Sequence, residues 1–363
     1  MTIEKICENF KITGKLLCCK PINNGIINTS YKVCYEENGE QKEYVIQKIN
    51  KAVFRRPDKV MQNIKNVTEF IKNKIKALGK DSERYALTCG ETVEGKNYLI
   101  DENGDYWRAY LFIGHSKVYN EATDLGVIEE IGRAFGEFQV YLTDYDASSL
   151  YTAIPNFHNT HARFSAFDEV VLVDAADRVS SVTEEIGKLK SFEELASKLS
   201  IMAKQGDIPL RVTHNDTKSN NVLFDEEGKT ALTVIDLDTI MPGLVAYDFG
   251  DAVRFICSNA NEDEFDLSKV TLNLDKFRAL TKGFLGAVGK MLTKEEVKSL
   301  VLGVYSMTVE LAVRFLTDYL DGDAYFKVAY PGHNLDRARC QIKLAEDIYS
   351  KFDELEEIIK EFI

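Results

Sequence analysis

A polar run between apolar segments is the feature that most restricts how this 363-residue chain can fold. Residues 214–221 carry histidine, aspartate, lysine and asparagine in the pattern H-x-D-x-K-x-x-N, and an apolar segment follows at once. A polar turn at residues 225–228 separates that segment from a second one, which ends in Asp236. Two short apolar segments around a turn predict a β-hairpin. Such a hairpin returns Asp236 towards the polar run.

Three side chains of this region have the chemistry that phosphoryl transfer requires. Asn221 and Asp236 offer amide and carboxylate oxygens, and such oxygens are the ligands that Mg²⁺ prefers. Asp216 lies outside that pair and can accept the proton of an attacking hydroxyl group. A metal clamp together with a positioned base is the catalytic apparatus of phosphoryl transfer. The sequence therefore indicates a phosphotransferase.

The remaining sequence predicts a strand-rich N-terminal part and a mainly helical C-terminal part. Strands are expected at residues 31–35, 44–49, 97–100 and 107–113, of which the first two form a hairpin. Helices are expected at residues 58–78, 123–142, 183–204, 293–318 and 336–361, the first of them capped by Asp58. We place the boundary between residues 113 and 114, which gives a nucleotide-binding lobe of residues 1–113 and a catalytic lobe of residues 114–363.

Composition narrows the partners that this chain is expected to have. Asp and Glu number 58 against 45 Lys and Arg, so the net charge is −13. Because nucleic-acid-binding proteins usually carry a basic excess, we expect no nucleic-acid partner. No apolar run approaches the ~20 residues of a membrane span, so we expect no membrane contact and a cytoplasmic location. The seven cysteines are odd in number and lack C-x-x-C spacing, which predicts free thiols.

The polar run resembles the catalytic loop of the protein-kinase-like superfamily, which reads H-R-D-x-x-x-x-N. More narrowly, the sequence is similar to the aminoglycoside phosphotransferase and choline kinase branch. Two segments are close in sequence to N-acetylhexosamine 1-kinases: HNDTKSNNVLFD and, after it, VIDLDTIMPGLVAYDFGDAVRF. The resemblance implies an α+β, two-lobed protein-kinase-like fold, with a small antiparallel-sheet N-lobe and a larger, mainly helical C-lobe. It also implies transfer of the γ-phosphoryl group of ATP, with Mg²⁺, to the anomeric hydroxyl of GlcNAc or GalNAc.

The resemblance assigns roles to individual residues of the catalytic region. Asp216 is the base, Lys218 reaches the γ-phosphate, and Asn221 and Asp236 hold the metal, with Asp238 as a rival or second ligand. His214 and Asp248 are expected to support the catalytic loop, although Asp248 begins a literal D-F-G. Asp248 lies 32 residues after the base, whereas the branch places its metal aspartate where Asp236 stands, 20 residues after it.

Nucleotide contacts are expected from a sparse glycine loop, a strand and the hinge between the lobes. The resemblance implies that these contacts come from Gly25, Asn28, Thr29, Lys48 and Ile113. Lys48 matches the strand lysine that touches the α- and β-phosphates. Its acidic partner on the following helix is left open, with Glu69 as the available residue.

The acceptor is expected to be a small molecule, since the 11 residues between Asp236 and Asp248 cannot form a peptide-docking segment. The resemblance implies that Arg314 helps to bind the sugar; the alternative is a buried ion pair with Glu310. An aminoglycoside, choline or another small alcohol remains an alternative acceptor, and a non-catalytic nucleotide-binding protein a further one. His158 and His161 are interpreted as surface loop residues. We expect a monomer or weak dimer, and the sequence does not rank GlcNAc against GalNAc.

Overall fold

The computed structural model describes residues 1–22 and 27–363, and it divides into two compact units made of interleaved segments. The first unit comprises Met1–Val118, Asp144–Ile154 and Asn221–Met241. The second comprises Tyr119–Thr143, Pro155–Asn220 and Pro242–Ile363. The hairpin predicted after the polar run is therefore grouped with the N-terminal residues. The single lobe boundary between residues 113 and 114 stays a prediction.

The elements follow one another along the chain in a strand-rich part and then a helical part. The first 120 residues contain α1 (Ile3–Cys7), β1 (Lys15–Ile22), β2 (Thr29–Glu37), β3 (Glu40–Lys48), α2 (Pro57–Ala77), β4 (Leu99–Ile100), β5 (Tyr106–Leu111) and β6 (Ser116–Lys117). Residues 121–243 contain α3 (Leu125–Tyr141), α4 (Thr160–Val173), α5 (Thr183–Ala196), α6 (Lys198–Gln205), β7 (Arg211–Thr213), β8 (Val222–Asp225), β9 (Ala231–Val234) and β10 (Met241–Gly243). The remainder contains α7 (Val245–Ile256), α8 (Leu274–Val288), α9 (Lys294–Lys298), α10 (Leu300–Leu320), α11 (His333–Ser350) and α12 (Phe352–Lys360).

The first unit is built on an antiparallel sheet with the strand order β1-β2-β3-β5-β4. The predicted hairpin is β2–β3, and its turn residues Asn38 and Gly39 both have positive φ, as a two-residue hairpin turn requires. One face of the sheet packs Ile46 and Trp107 against residues of α1. α2 begins at Pro57 rather than with an Asp58 cap, and Asp58 bonds Arg56 instead.

The second predicted hairpin is β8–β9, and β6 extends it on the β8 side. Val222 pairs with Val234, and the N–H of Ile235 donates to the carbonyl of Asn221 at 2.8 Å. Asp236 follows β9 directly and adopts a left-handed backbone conformation, with φ of 63°. Both hairpins that the sequence predicts are confirmed.

Helices dominate the second unit, and their bounds refine the sequence prediction. The stretches expected at residues 183–204, 293–318 and 336–361 are each a pair of consecutive helices. The sequence prediction missed α1, β1, β6, α4 and α8, and it gave no bounds for α7, the helix that carries Asp248. The cysteines are free, as predicted.

α10 does not match the expectation that no apolar run approaches the length of a membrane span. Within residues 1–22 and 27–363 it is the one helix long and apolar enough to cross a membrane by length and composition. However, 89% of its most apolar window is buried inside the structure. Burial of this extent is typical of a core helix, whose partners are other helices rather than lipid.

Candidate active site

The predicted catalytic loop, residues 214–221, is bonded by a carboxylate on α7. Asp248 accepts hydrogen bonds from the backbone N–H groups of His214, at 2.9 Å, and Asn215, at 2.7 Å. Its Oδ2 also accepts from Nε2 of Gln139, at 2.8 Å. Burial raises the pKa of Asp248, and the two backbone donors oppose that shift. The literal D-F-G aspartate is therefore bonded to the backbone of the loop.

Asn215 precedes the predicted base and adopts a left-handed conformation, with φ of 64°. Asparagine tolerates this conformation better than most residues, since its short polar side chain bonds locally. Here Oδ1 accepts from the hydroxyl of Thr213 at 3.0 Å, and Nδ2 donates to the Thr213 carbonyl at 3.1 Å. A Cβ at Gly243 would lie 2.2 Å from that hydroxyl, so a glycine is required there. Asn215 thus replaces the arginine of H-R-D with a local structural role.

Hydrogen bonds hold the residues on both sides of the predicted base, Asp216. After Asp216, the N–H of Thr217 donates to Asp251 at 2.9 Å, and its hydroxyl donates to the carbonyl of Asp248 at 2.6 Å. The Nζ of Lys218 lies 3.1 Å from Oδ2 of Asp216, and both side chains are about one-third exposed. Asp216 therefore reaches solvent beside a cation, on a loop that is fixed at its neighbours.

His158 is buried, so its interpretation as a surface loop residue is wrong. Its Nδ1 lies 3.0 Å from a carboxylate oxygen of Glu310 on α10, and its Nε2 lies 3.2 Å from the carbonyl oxygen of Asn215. Glu310 is completely buried. The ring therefore links α10 to the catalytic loop. Of these two histidines, His161 is the exposed one.

Arg314, one turn further along α10, has no ion pair with Glu310. Its guanidinium lies 5.4 Å from the ring centroids of both Phe157 and Phe326. Within the described part of the chain, it has no hydrogen-bond acceptor. Burial lowers the pKa of Arg163, and the nearby positive charge of Arg314 lowers it further. The side chain of Arg314 is thus a cation between aromatic rings, beside a second cation.

The predicted metal ligands belong to the first unit, and the hairpin brings their backbones together. Asn221 ends a 3₁₀ turn just before β8, and its carbonyl bonds Ile235, the neighbour of Asp236. A carboxylate and an amide oxygen suit Mg²⁺, which takes its other ligands from phosphates and water. Among residues 1–22 and 27–363, no group of three or more His, Cys, Asp and Glu side chains could hold a metal ion. The structure brings the backbones of Asn221 and Asp236 close together, and the binding of Mg²⁺ by their side chains stays a prediction.

The strand lysine lies on a different face of the sheet from the neighbouring polar side chains. Lys48 is paired across the strands with Trp107, on the face that α1 covers, and it forms an ion pair with Asp105. The hydrogen bond that Lys48 donates within this ion pair holds the pKa of Asp105 below its usual value. Gln47 and Arg108 form the preceding cross-strand pair, so their side chains point to the opposite face. A phosphate contact by Lys48 stays a prediction.

The predicted glycine loop is described only at its end. Gly25 lies outside the described residues. Nδ2 of Asn28 donates to Oδ2 of Asp238 at 2.7 Å, and Thr29 is the exposed first residue of β2. Asn28 therefore bonds the turn that follows Asp236.

The other two nucleotide-side residues have ordinary local partners. Ile113 is buried, and its carbonyl accepts from the hydroxyl of Ser116 at 2.5 Å. Glu69 is exposed on α2 and lies 3.8 Å from Nζ of Lys65. Lys48 thus has Asp105 rather than a helix residue as its acidic partner.

Comparison with known proteins identifies the family of this chain. The model of the phosphotransferase enzyme family, APH, matches residues 19–269. That range covers more than half of the chain and contains the whole polar run and both hairpins. The chain belongs to this phosphotransferase family.

Solved structures of similar fold extend over nearly the whole chain. An aminoglycoside phosphotransferase from Alicyclobacillus acidocaldarius is 11% identical, with a TM-score of 0.60 over 99% of this chain and 97% of that one. A choline kinase from Cryptosporidium parvum is 13% identical, with a TM-score of 0.57 over 99% and 98%. A spectinomycin phosphotransferase, solved with ADP and spectinomycin, is 13% identical, with a TM-score of 0.55 over 96% and 97%. The kinase-like fold, with its antiparallel-sheet N-lobe and helical C-lobe, is therefore confirmed.

Proposed function

We propose that this phosphotransferase is an ATP- and Mg²⁺-dependent small-molecule kinase that phosphorylates the anomeric (C1) hydroxyl of N-acetylhexosamines. The product is GlcNAc or GalNAc 1-phosphate. The observation that carries the choice of acceptor is the environment of Arg314, a cation between two phenylalanine rings without a hydrogen-bond acceptor among the described residues.

The environment of Arg314 favours a neutral acceptor over a cationic one. A guanidinium without an acceptor donates well to carbonyl and hydroxyl oxygens, which an N-acetyl sugar offers in abundance. Choline and aminoglycosides carry positive charges, and Arg314 and Arg163 would both repel them. The resemblance of the catalytic run to N-acetylhexosamine 1-kinases supports the same acceptor.

The catalytic roles follow from the chemistry of the loop. Asp216 orients the sugar hydroxyl and accepts its proton, and Lys218 offsets charge that develops on the γ-phosphate. Asn221 and Asp236 would hold Mg²⁺, which neutralises charge on the phosphate oxygens when bound. His214 and Asp248 keep the backbone around the base in place.

The nucleotide is proposed to be ATP, in line with the relative that was solved with ADP. Gly25, Asn28, Thr29 and Lys48 are proposed at its phosphates. The backbone of Ile113, at the end of the N-terminal lobe, is proposed at its adenine.

The test is ATP turnover with Mg²⁺ across GlcNAc, GalNAc, glucose, galactose, choline and kanamycin. Turnover with the N-acetyl sugars is expected, and Asp216→Ala should abolish it. A hydrogen bond from a charged group contributes about 1.5–3 kcal/mol, so Arg314→Gln should raise the sugar KM about 10- to 150-fold and leave the ATP KM unchanged. Arg278→Gln removes an exposed arginine on α8 and is the matched control.

Three outcomes contradict the proposal in different ways. Turnover with choline or kanamycin alone would keep the catalytic roles and refute the sugar pocket. Turnover with none of the six compounds would refute the acceptor class, and a failure to bind ADP would refute the kinase itself.

A further inference from the structure

Asp238 lies two residues beyond the predicted metal ligand Asp236, and both of its carboxylate oxygens already have partners. Nη2 of Arg108 donates to Oδ2 at 3.0 Å, and Nη1 of the same guanidinium bonds Oδ1. Oδ2 also accepts from Nδ2 of Asn28, at 2.7 Å. Asp238 is 3% exposed and Arg108 is 1% exposed. Two parallel bonds between a guanidinium and a carboxylate form the strongest and most directional kind of ion pair.

Arg108 belongs to a connected polar network on one face of the sheet. Its Nε donates to Oε1 of Gln47 at 3.0 Å, and Nε2 of Gln47 donates to the hydroxyl of Ser30 at 2.9 Å. Burial lowers the pKa of Arg108, but the attraction of Asp238 outweighs this and raises the pKa above its usual value. Arg108 is therefore a permanent buried cation, on the face opposite to Lys48.

The network ends at a strained turn. Asp236 has φ of 63°, and the 3₁₀ turn Leu237–Thr239 follows it directly. A non-glycine residue in this conformation costs about 1–3 kcal/mol and persists where its surroundings fix it in several ways. The fork from Arg108 fixes Asp238, the middle residue of that turn. The ion pair therefore holds the turn that directly follows Asp236.

We propose that Arg108 and Asp238 are a positioning pair that sets the direction of the metal-binding carboxylate of Asp236, and that Asp238 is not itself a metal ligand. Asn28 extends the pair to the end of the glycine loop. In this arrangement the buried cation beside the turn Leu237–Thr239 is Arg108 of β5 rather than Lys48 of β3. The inference rests on the proposed function of Asp236, but not on the choice of acceptor.

The test measures the Mg²⁺ concentration that half-saturates ADP binding, together with the urea midpoint of each variant. Arg108→Met leaves a buried carboxylate without its partner, so the half-saturating Mg²⁺ concentration should rise about 10-fold or more, as loss of an outer-shell partner does. Adding Asp238→Asn removes that unpaired charge and retains an oxygen for Asn28. Because the fork is absent from both variants, the double variant should bind Mg²⁺ more tightly than Arg108→Met but should not return to the wild-type value.

The opposite sign is expected if Asp238 ligates the metal. Asp238→Asn would then weaken Mg²⁺ binding further in the Arg108→Met background, and that result would overturn the proposal. An unchanged half-saturating Mg²⁺ concentration in Arg108→Met would overturn it as well. Should Arg108→Met not fold, Arg108→Lys serves instead, because lysine keeps the charge but lacks the fork.

The control is Arg56→Met, which removes an exposed arginine of the same unit that also makes two bonds to one aspartate, Asp58. Exposed pairs contribute little, so neither the Mg²⁺ dependence nor the urea midpoint should change. Failure of the wild type to bind ADP with Mg²⁺ would overturn the proposed function and this inference together. Failure of the acceptor panel alone leaves the positioning pair standing.

Discussion

Replacing Asp248 with asparagine tests whether this residue supports the loop or binds metal, which the D-F-G motif alone does not decide. The carboxylate accepts three N–H bonds, from the backbones of His214 and Asn215 and from the side chain of Gln139. An asparagine oxygen can still accept from Asn215. Its NH₂ group, however, would face the other two donors.

The cost follows from the bonds that cannot be rebuilt. Oε1 of Gln139 has no hydrogen-bond partner within residues 1–22 and 27–363, so this amide can rotate and accept from the new NH₂ group. The N–H of His214 then stays buried and unpaired, which costs about 1–3 kcal/mol. The remaining bonds also lose their charge, at about 1 kcal/mol each. Because burial already disfavours the charged form of Asp248, we expect a net loss of about 2–3 kcal/mol in the free energy of unfolding.

Urea denaturation and ATP turnover measure the two roles separately. Asp248→Asn should lower the urea midpoint by the amount above and reduce turnover through disorder of the catalytic loop. Asp236→Asn is the matched control: asparagine tolerates the left-handed conformation, so stability should be retained while Mg²⁺-dependent turnover is lost. The reasoning fails if Asp248→Asn keeps wild-type stability and loses Mg²⁺ dependence, whereas Asp236→Asn stays active.

Two further predictions concern stability alone. A Cβ at Gly283 of α8 would lie 1.9 Å from the backbone oxygen of Glu129 on α3, so Gly283→Ala should lower the free energy of unfolding by about 1–3 kcal/mol. A Cβ at Gly286 would meet no described atom within 4 Å, so Gly286→Ala should raise the free energy of unfolding by up to about 1 kcal/mol through better helix propensity. Thermal melts measure both variants, and equal shifts of the melting temperature in Gly283→Ala and Gly286→Ala would contradict this packing. Burial raises the pKa of Glu296, but hydrogen bonds from Arg211 outweigh it and hold that pKa below its usual value. The stability that this pair contributes is therefore present above the unfolded-state pKa of about 4.3 and is lost as pH falls through the lower folded pKa. The stability difference between the wild type and Glu296→Gln should shrink between about pH 5 and pH 3 in urea titrations, and a constant difference would argue against the ion pair.

Local signals in the sequence were sufficient to predict the two hairpins. Turn chemistry at Asn38 and Gly39 and the alternation of strand residues act over a few positions, so they can be read directly. The assignment of Asp248 to loop support came from the resemblance, which places the metal aspartate where Asp236 stands. The bonds that Asp248 accepts from the backbone N–H groups of His214 and Asn215 agree with that assignment.

The pairs that the sequence did not predict are long-range. His158 and Glu310 are 152 residues apart, and Arg108 and Asp238 are 130 apart. A charge in an apolar strand signals that Arg108 needs a partner, but it does not identify the partner. The face on which Lys48 lies depends on which side of the sheet each helix covers, and that is decided by tertiary packing.

The interleaving of the two compact units has a consequence for synthesis of the chain on the ribosome. The polypeptide changes unit after residues 118, 143, 154, 220 and 241. The first unit therefore lacks β8, β9 and the partner of Arg108 until two-thirds of the protein has been translated. Until residue 238 has been synthesised, Arg108 on β5 has no carboxylate partner, so the buried ion pair of the first unit cannot form before that point.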